Sequence, residues 1–474
     1  MTSFPYHRLA RLAFATCALL LAAACVPAGP STGPSPDAQA LARGGWTAQS
    51  PAAEVATWTR QGCRRAPGGR DACIERTLVA LIDQAGISKS MEVLDTLAVM
   101  DRGVQANAHA LAHGLGIAAY RSPETLAATI NGCPVSQMSG CYHGVVQGYF
   151  LELSRQGRSI GTAEMDGLCN PHRESRFVYF QCAHGMGHGL MAVHQNHLPM
   201  SLEGCDRASD EFVRTSCYGG VFMENIVNVT HPHHTAGGHA GTQGGGHGGH
   251  GQQGASTDHA AHGQQAAADE HAGHGQHAAA HAGHGAASGQ PAMVHGPWRA
   301  LDRNDWLYPC NAVALKYQRE CYNMQTSAIM FFNYGNVKST ARVCGRAPAA
   351  FQPTCFYSLG RDVTAFAAQN PRRSARMCED ARVAAAGRGR TWCLVGVVQA
   401  LVNQSADPQD GIRFCRLVGG AEAKGECYRV VGETIAGLVR DTEARGQACQ
   451  SAEREFVAVC RRGAGVEPTG AGSD

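Results

Sequence analysis

The 474-residue chain has little of what most functional signatures are built from. Charged residues make up only 16% and the formal net charge is +2, so nothing argues for nucleic acid or for an acidic substrate. Aromatic residues are scarce at 7% while Gly and Ala dominate, which leaves thin cores. There is no Walker loop, no dinucleotide fingerprint set between a strand and a helix, and no His-Glu-x-x-His. Catalytic residues are therefore unknown, and whether the chain is an enzyme is left open, leaning against.

Cysteine is what the chain has in quantity: 20 residues, too many for a reduced cytosolic protein. At the N-terminus, His7, Arg8 and Arg11 precede an apolar run, Leu12 to Ala24, that is too short to span a membrane and reads as a secretory signal over 1–24. The run ends in Leu21-Ala22-Ala23-Ala24-Cys25, which resembles a bacterial lipoprotein cleavage box. That resemblance implies lipidation at Cys25 and a membrane-anchored lipoprotein, periplasmic or at the cell surface; ordinary cleavage after Ala28 is the alternative. Residues 25–57, rich in Pro, Gly, Ser and Ala, read as a disordered tether.

With Cys17 and Cys25 set aside, the remaining cysteines fall in order into nine near-neighbour pairs. These are Cys63/Cys73, Cys133/Cys141, Cys169/Cys182, Cys205/Cys217, Cys310/Cys321, Cys344/Cys355, Cys378/Cys393, Cys415/Cys427 and Cys449/Cys460. First members recur at steps of 34 to 37 residues, the period of a helical-hairpin array. The gap from Cys63 to Cys133 is two steps, leaving one cysteine-less copy near 95–125, and the gap from Cys205 to Cys310 is one step plus an insertion. An aromatic residue follows the second cysteine in five copies (Tyr142, Tyr218, Tyr322, Phe356, Tyr428), and Gly or Ser stands three residues after it in several. One helix is expected to end near the first cysteine and the next to open at the second, with a local disulfide stapling each hairpin, although sequence alone does not fix connectivity. The expected fold is all-α: a disulfide-stapled helical-hairpin repeat solenoid of about ten repeats, interrupted by a disordered His-rich insertion.

This layout resembles the exported, cysteine-stapled αα-repeat proteins of the Sel1-like type over roughly 60–460. The cysteine spacings here vary from 8 to 15, and the Leu-Gly-x-x-Tyr signature is missing, so the resemblance implies architecture and no functional residues. The expected organisation is signal 1–24, tether 25–57, N-terminal repeats 58–230, insertion 231–297, C-terminal repeats 298–462 and a disordered tail 463–474.

Histidine forms two populations. In Cys182-Ala183-His184-Gly185-Met186-Gly187-His188-Gly189, a helix would place His184 and His188 on one face, within reach of one metal ion. The equivalent positions are His143 and Gln147 in the preceding copy and, on one alignment, His109 and His113 in the cysteine-less copy. Elsewhere they hold residues such as Gly219, Asn323, Tyr357, Val395 and Arg429. A lone helical histidine is most often an ordinary hydrogen-bonded residue, whereas His109, His113, His143, His184 and His188 in register argue for one ligand patch. His194 and His197 stand as outer members. All-imidazole surroundings favour Cu or Zn, with Fe or Ni as alternatives; Met186 and Met223, the latter beside Glu224, tilt toward Cu(I), although methionine is more often core.

The second population is the insertion, where 14 of the 23 histidines lie between His231 and His295 amid Gly, Ala and Gln. His247, His250, His271, His274, His281 and His284 sit in His-x-x-His repeats that would capture ions weakly. A repeat-expanded linker is the plainer reading. Tyr357, Arg361, Arg429 and Glu433 would line a polar groove or a solvated face. The expected function is an exported, lipid-anchored transition-metal-binding protein with an ordered polyhistidine site and a metal-gathering loop. A metal-dependent enzyme using the same histidines, or a scaffold for a protein partner on its concave face, are the alternatives; no nucleic acid is expected.

Overall fold

The computed structural model describes residues 47–66, 69–230, 298–405 and 407–466. Among them every regular element is helical. Cys25, the segment read as a signal and the His-rich insertion lie outside the described residues.

Two compact units are present, one ending at Val104 and one beginning at Gln105. In the first, α1 (Ala52–Cys63) packs on α2 (Arg70–Met100), and Cys63–Cys73 closes the turn. α2 bends at Gly86, whose φ of 82° interrupts the helix without a side-chain penalty. α1 corrects the expected tether. Residues 52–57 belong to α1, which Pro51 precedes, and Ala52, Val55, Ala56 and Thr59 are buried.

α3 (Arg102–Ala119) leads into the second unit, which alternates short and long helices. The pairs are α4 (Leu126–Asn131) with α5 (Gly140–Arg155), α6 (Thr162–Leu168) with α7 (Arg176–Val193), and α8 (Leu198–Cys205) with α9 (Glu211–Thr230). Beyond the insertion, α10 (Leu315–Phe332) stands without a short partner among the described residues. Then follow α11 (Val337–Cys344) with α12 (Gln352–Phe366), α13 (Pro371–Cys378) with α14 (Gly389–Ser405), α15 (Pro408–Cys415) with α16 (Ala421–Leu438), and α17 (Thr442–Cys449) with α18 (Val457–Gly463).

Local chemistry sets these boundaries. The side chains of Asn336, Asn370, Asp407 and Asp441 accept hydrogen bonds from backbone amides at the starts of α11, α13, α15 and α17. Pro371 and Pro408 occupy first helical positions, where a missing N–H costs nothing.

All nine expected cysteine pairs are bonded, with Cα–Cα separations of 5.3 to 5.7 Å. The bonds are Cys63–Cys73, Cys133–Cys141, Cys169–Cys182, Cys205–Cys217, Cys310–Cys321, Cys344–Cys355, Cys378–Cys393, Cys415–Cys427 and Cys449–Cys460. The first cysteine does end or directly follow the short helix in most hairpins.

The expectation that the second cysteine opens the long helix holds closely only for Cys141, the second residue of α5. Elsewhere it is corrected. Cys73, Cys355 and Cys460 are each the fourth residue of their helices and Cys393 is the fifth. Cys182, Cys217, Cys321 and Cys427 are each the seventh. Residues ahead of the second cysteine already take up the helix, so it starts up to six residues before the staple; from Cys141 onward the second cysteine is buried at whatever depth it stands. A staple set further in anchors the buried part of the long helix to the end of the short one. The aromatic residue after the second cysteine is buried too, and Tyr218 donates its hydroxyl proton to Asp206 (2.5 Å), just past α8.

Second helices of successive hairpins pack on one another, α5 on α7, α7 on α9, and onward to α16 on the seven-residue α18. α9 packs directly on α10, so the chain resumes the same layer after residues 231–297. Tyr317 of α10 also donates to Asp206 (2.6 Å), and Lys316 pairs with that carboxylate (2.7 Å). α16 also touches α7, and Arg440 pairs with Glu174 (3.0 Å), so late hairpins meet early ones. The tail expected from 463 onward is ordered at its start, with Ala464 and Val466 buried.

Candidate metal centre

Close backbone approach is what brings the histidines together. A Cβ placed on Gly220 of α9 would stand 2.0 Å from the His184 carbonyl oxygen, and one on Gly144 of α5 would stand 2.1 Å from that of His113. Only glycine lets the helices cross so closely. Gly396 meets the Tyr357 carbonyl and Gly463 that of Arg429 in the same way. This recurring contact fixes a register that is ambiguous in the sequence. His113 is the counterpart of His184, and His109 lies one turn before it, so the expected alignment of His109 with His184 is off by four residues. The cysteine-less copy has no cysteine to anchor the alignment, and a His-x-x-x-His pair fits equally well one turn along.

With that register, His113, His143 and His184 stand at equivalent positions on α3, α5 and α7, flanked by His109 and His188. The five imidazoles form one cluster. Ring centroids lie 4.7 Å apart for His109–His113 and for His113–His188, 4.8 Å for His143–His184, 4.9 Å for His143–His188 and 5.2 Å for His184–His188. Two triads have candidate ligand atoms all within 4.8 Å of one another: His109, His113 and His143, and then His143, His184 and His188.

The surroundings decide which nitrogens face inward. Gln181 Oε1 can only accept, so His143 donates to it from Nε2 (2.9 Å) and keeps Nδ1 bare. That unprotonated Nδ1 accepts a hydrogen bond from His113 Nε2 (3.3 Å). His188 donates from Nδ1 to Glu224 Oε2 (2.7 Å), both side chains being buried, which leaves Nε2 bare. His109 donates from Nδ1 to the Gln137 carbonyl (2.8 Å). Gln137, Met138 and Ser139 all have positive φ, 52°, 50° and 63°, an uncommon run for residues with side chains. The strained turn aims that carbonyl at His109.

Three ring nitrogens of the cluster stay buried with no hydrogen-bond partner among the described residues: both of His184 and Nε2 of His188. The Ser216 carbonyl favours a charged His184, but not from hydrogen-bonding geometry. Burial is the main force on His109, His143, His184 and His188. It lowers His109 to about 4 and His188 to about 3, and holds His143 and His184 well below 6.5, neighbouring imidazoles adding to the effect for the last two. These four therefore present neutral lone pairs at neutral pH, the form a metal requires.

The two triads are positioned to hold a metal ion. Tetrahedral Zn–N bonds place ligand nitrogens about 3.4 Å apart, and the His113–His143 pair is already at 3.3 Å. The residues around the rings supply the carboxyl, amide and carbonyl contacts that orient metal-binding imidazoles. In the sequence Glu224 stands out only as a neighbour of Met223, and Gln181 and Gln137 do not stand out at all. Gln181 directly precedes a stapled cysteine on the helix that carries His184 and His188, which is the one signal available.

Other expected members lie elsewhere. His194 bonds Ser201 (3.3 Å) and His197 caps α8 by accepting from the Met200 amide (3.3 Å), so both serve helix ends. Met186 is fully buried. Of the supposed groove residues, Arg361 is held by Asp362 (3.1 Å) and the Asn323 carbonyl (2.7 Å), while Arg429 is held by Glu426 (2.5 Å) and Glu433. His247, His250, His271, His274, His281 and His284 lie outside the described residues. No protein-family model, no curated protein and no solved structure matches the chain, so its nature rests on the fold and this cluster.

Proposed function

We propose that the chain is an extracytoplasmic transition-metal-binding protein whose ordered site is the five-histidine cluster. The observation that carries the reading is the pair of triads, buried except at the part-exposed His109, whose rings are oriented from behind by Glu224, Gln181 and Gln137. Imidazole-rich donors suit Cu or Zn ahead of Ca or Mg, with Fe or Ni also compatible. The nine disulfides fit an oxidising, extracytoplasmic compartment. Anchoring through a lipid on Cys25, the solenoid of about ten repeats and the role of the His-rich segment in gathering ions are parts of the same proposal.

The test is elemental analysis of protein expressed into an oxidising compartment with residues 231–297 deleted, so that loop histidines add nothing. Retained stoichiometric metal is expected, with at least about tenfold weaker retention in His184→Ala/His188→Ala. Equal metal content in the two proteins would remove the site. A reacting centre is the second reading, favoured by the two ring nitrogens of His184 that nothing engages. An exchangeable coordination position, seen spectroscopically with Cu, is what it requires.

A further inference from the structure

We propose that the short-helix edge formed by α11 and α13 docks on a membrane surface carrying anionic lipid headgroups. Residues 337–390 carry ten Lys and Arg against three Asp and Glu, in a chain whose whole net charge is +2. The excess is placed in a pattern. Lys338 and Arg342 lie one turn apart on α11, and Arg372 and Arg376 lie one turn apart on α13. They fill the same two positions, six and two residues ahead of Cys344 and of Cys378. In other hairpins those positions hold pairs such as Ala127/Asn131, Ala163/Gly167 and Glu443/Gln447. The cationic stripe is therefore particular to two neighbouring hairpins.

These four side chains are exposed, as are Arg346 and Arg373, and no carboxylate pairs with any of the six among the described residues. The two hairpins adjoin: α11 packs on the turn that follows α13, and a Cβ on Gly345 would stand 3.0 Å from the Ala384 Cβ. Apolar rings stand at the same edge. Tyr334, 94% exposed, precedes α11, and Phe366, 40% exposed, precedes α13. The Phe366 ring reaches within 2.9 Å of where a Cβ on Gly335 would be, so the two approaches touch.

Unpaired cations interleaved with exposed rings match a lipid interface, where aromatic side chains settle at headgroup level and Lys and Arg gain from anionic headgroups. Nucleic acid would offer similar charge, but a chain stapled by disulfides works in an oxidising compartment, away from it.

The experiment is co-sedimentation of the full chain with phosphatidylcholine vesicles, with and without phosphatidylglycerol, over a salt series. Phosphatidylglycerol should raise partition at least about tenfold at low salt, the gain fading as salt rises. The Lys338→Glu/Arg342→Glu/Arg372→Glu/Arg376→Glu protein should fall to its phosphatidylcholine level. Both proteins carry the same N-terminal segment, so its own lipid affinity cancels in the comparison. An unchanged melting temperature certifies the variant, and Lys338→Gln/Arg372→Gln replaces it if the fold suffers. Equal partition of the two proteins on phosphatidylglycerol vesicles overturns the proposal. So does retention on heparin without partition to those vesicles.

Discussion

At the scale of single residues, the cluster is costly unless it is used. A buried polar atom without a partner costs about 1–3 kcal/mol, and His184 and His188 hold three such nitrogens. A metal ion would turn that cost into binding. The same burial sets a pH dependence for the metal-free protein. His109 and His188 titrate near 4 and 3 when folded but near 6.5 when unfolded. Between those values the unfolded chain binds protons that the folded chain refuses, so stability rises with pH from about 4 to 6.5 and is lost as pH falls through that window. Each histidine held neutral contributes a slope of about 1.4 kcal/mol per pH unit. Urea unfolding at both ends of the window should show this, with a shallower slope in His188→Leu. Parallel slopes in the two proteins would contradict it.

At the scale of elements, the crossing of α7 and α9 holds His184 in place, and Gly220 permits that crossing. Gly220→Ala forces the helices apart, at an overpacking cost of about 1–3 kcal/mol, and carries His184 away from His143. A lower melting temperature together with weaker metal retention is expected; normal retention in a destabilised protein would separate the crossing from the site. This is also the level at which the sequence is only partly legible. Cysteine order reveals every hairpin staple, because bonds within a hairpin leave a periodic mark. It does not place Cys355, Cys393 or Cys460 within their helices, since the depth of a staple depends on how many residues ahead of it join the helix, which cysteine spacing does not mark. Nor does it place the cysteine-less copy, where His109 and His113 fit two registers one turn apart and only the Gly144 contact chooses. Glu224 and Gln181 are hidden for a related reason. They act across a helix interface, on His188 and His143 of neighbouring helices, and no spacing within one helix marks such partners.

At the scale of the second unit, α9 meets α10 as closely as if residues 231–297 did not intervene, and Asp206 ties them through Tyr218, Tyr317 and Lys316. Deleting 231–297 with a short Gly/Ser join should therefore leave the melting temperature nearly unchanged, within about 2 °C, the shift that a few tenths of a kcal/mol would produce, while lowering the number of weakly bound ions. A large drop in melting temperature would show that the segment supports the array.

The staples have one more consequence, in time instead of space. Every disulfide joins a cysteine to the next one along the chain, across 8 to 15 residues. A chain threaded N-terminus first into an oxidising compartment thus meets each partner before the following pair arrives. Simple pairing in order of appearance already gives the bonds among the described residues, with none of their cysteines left waiting for a distant mate and no shuffling step required.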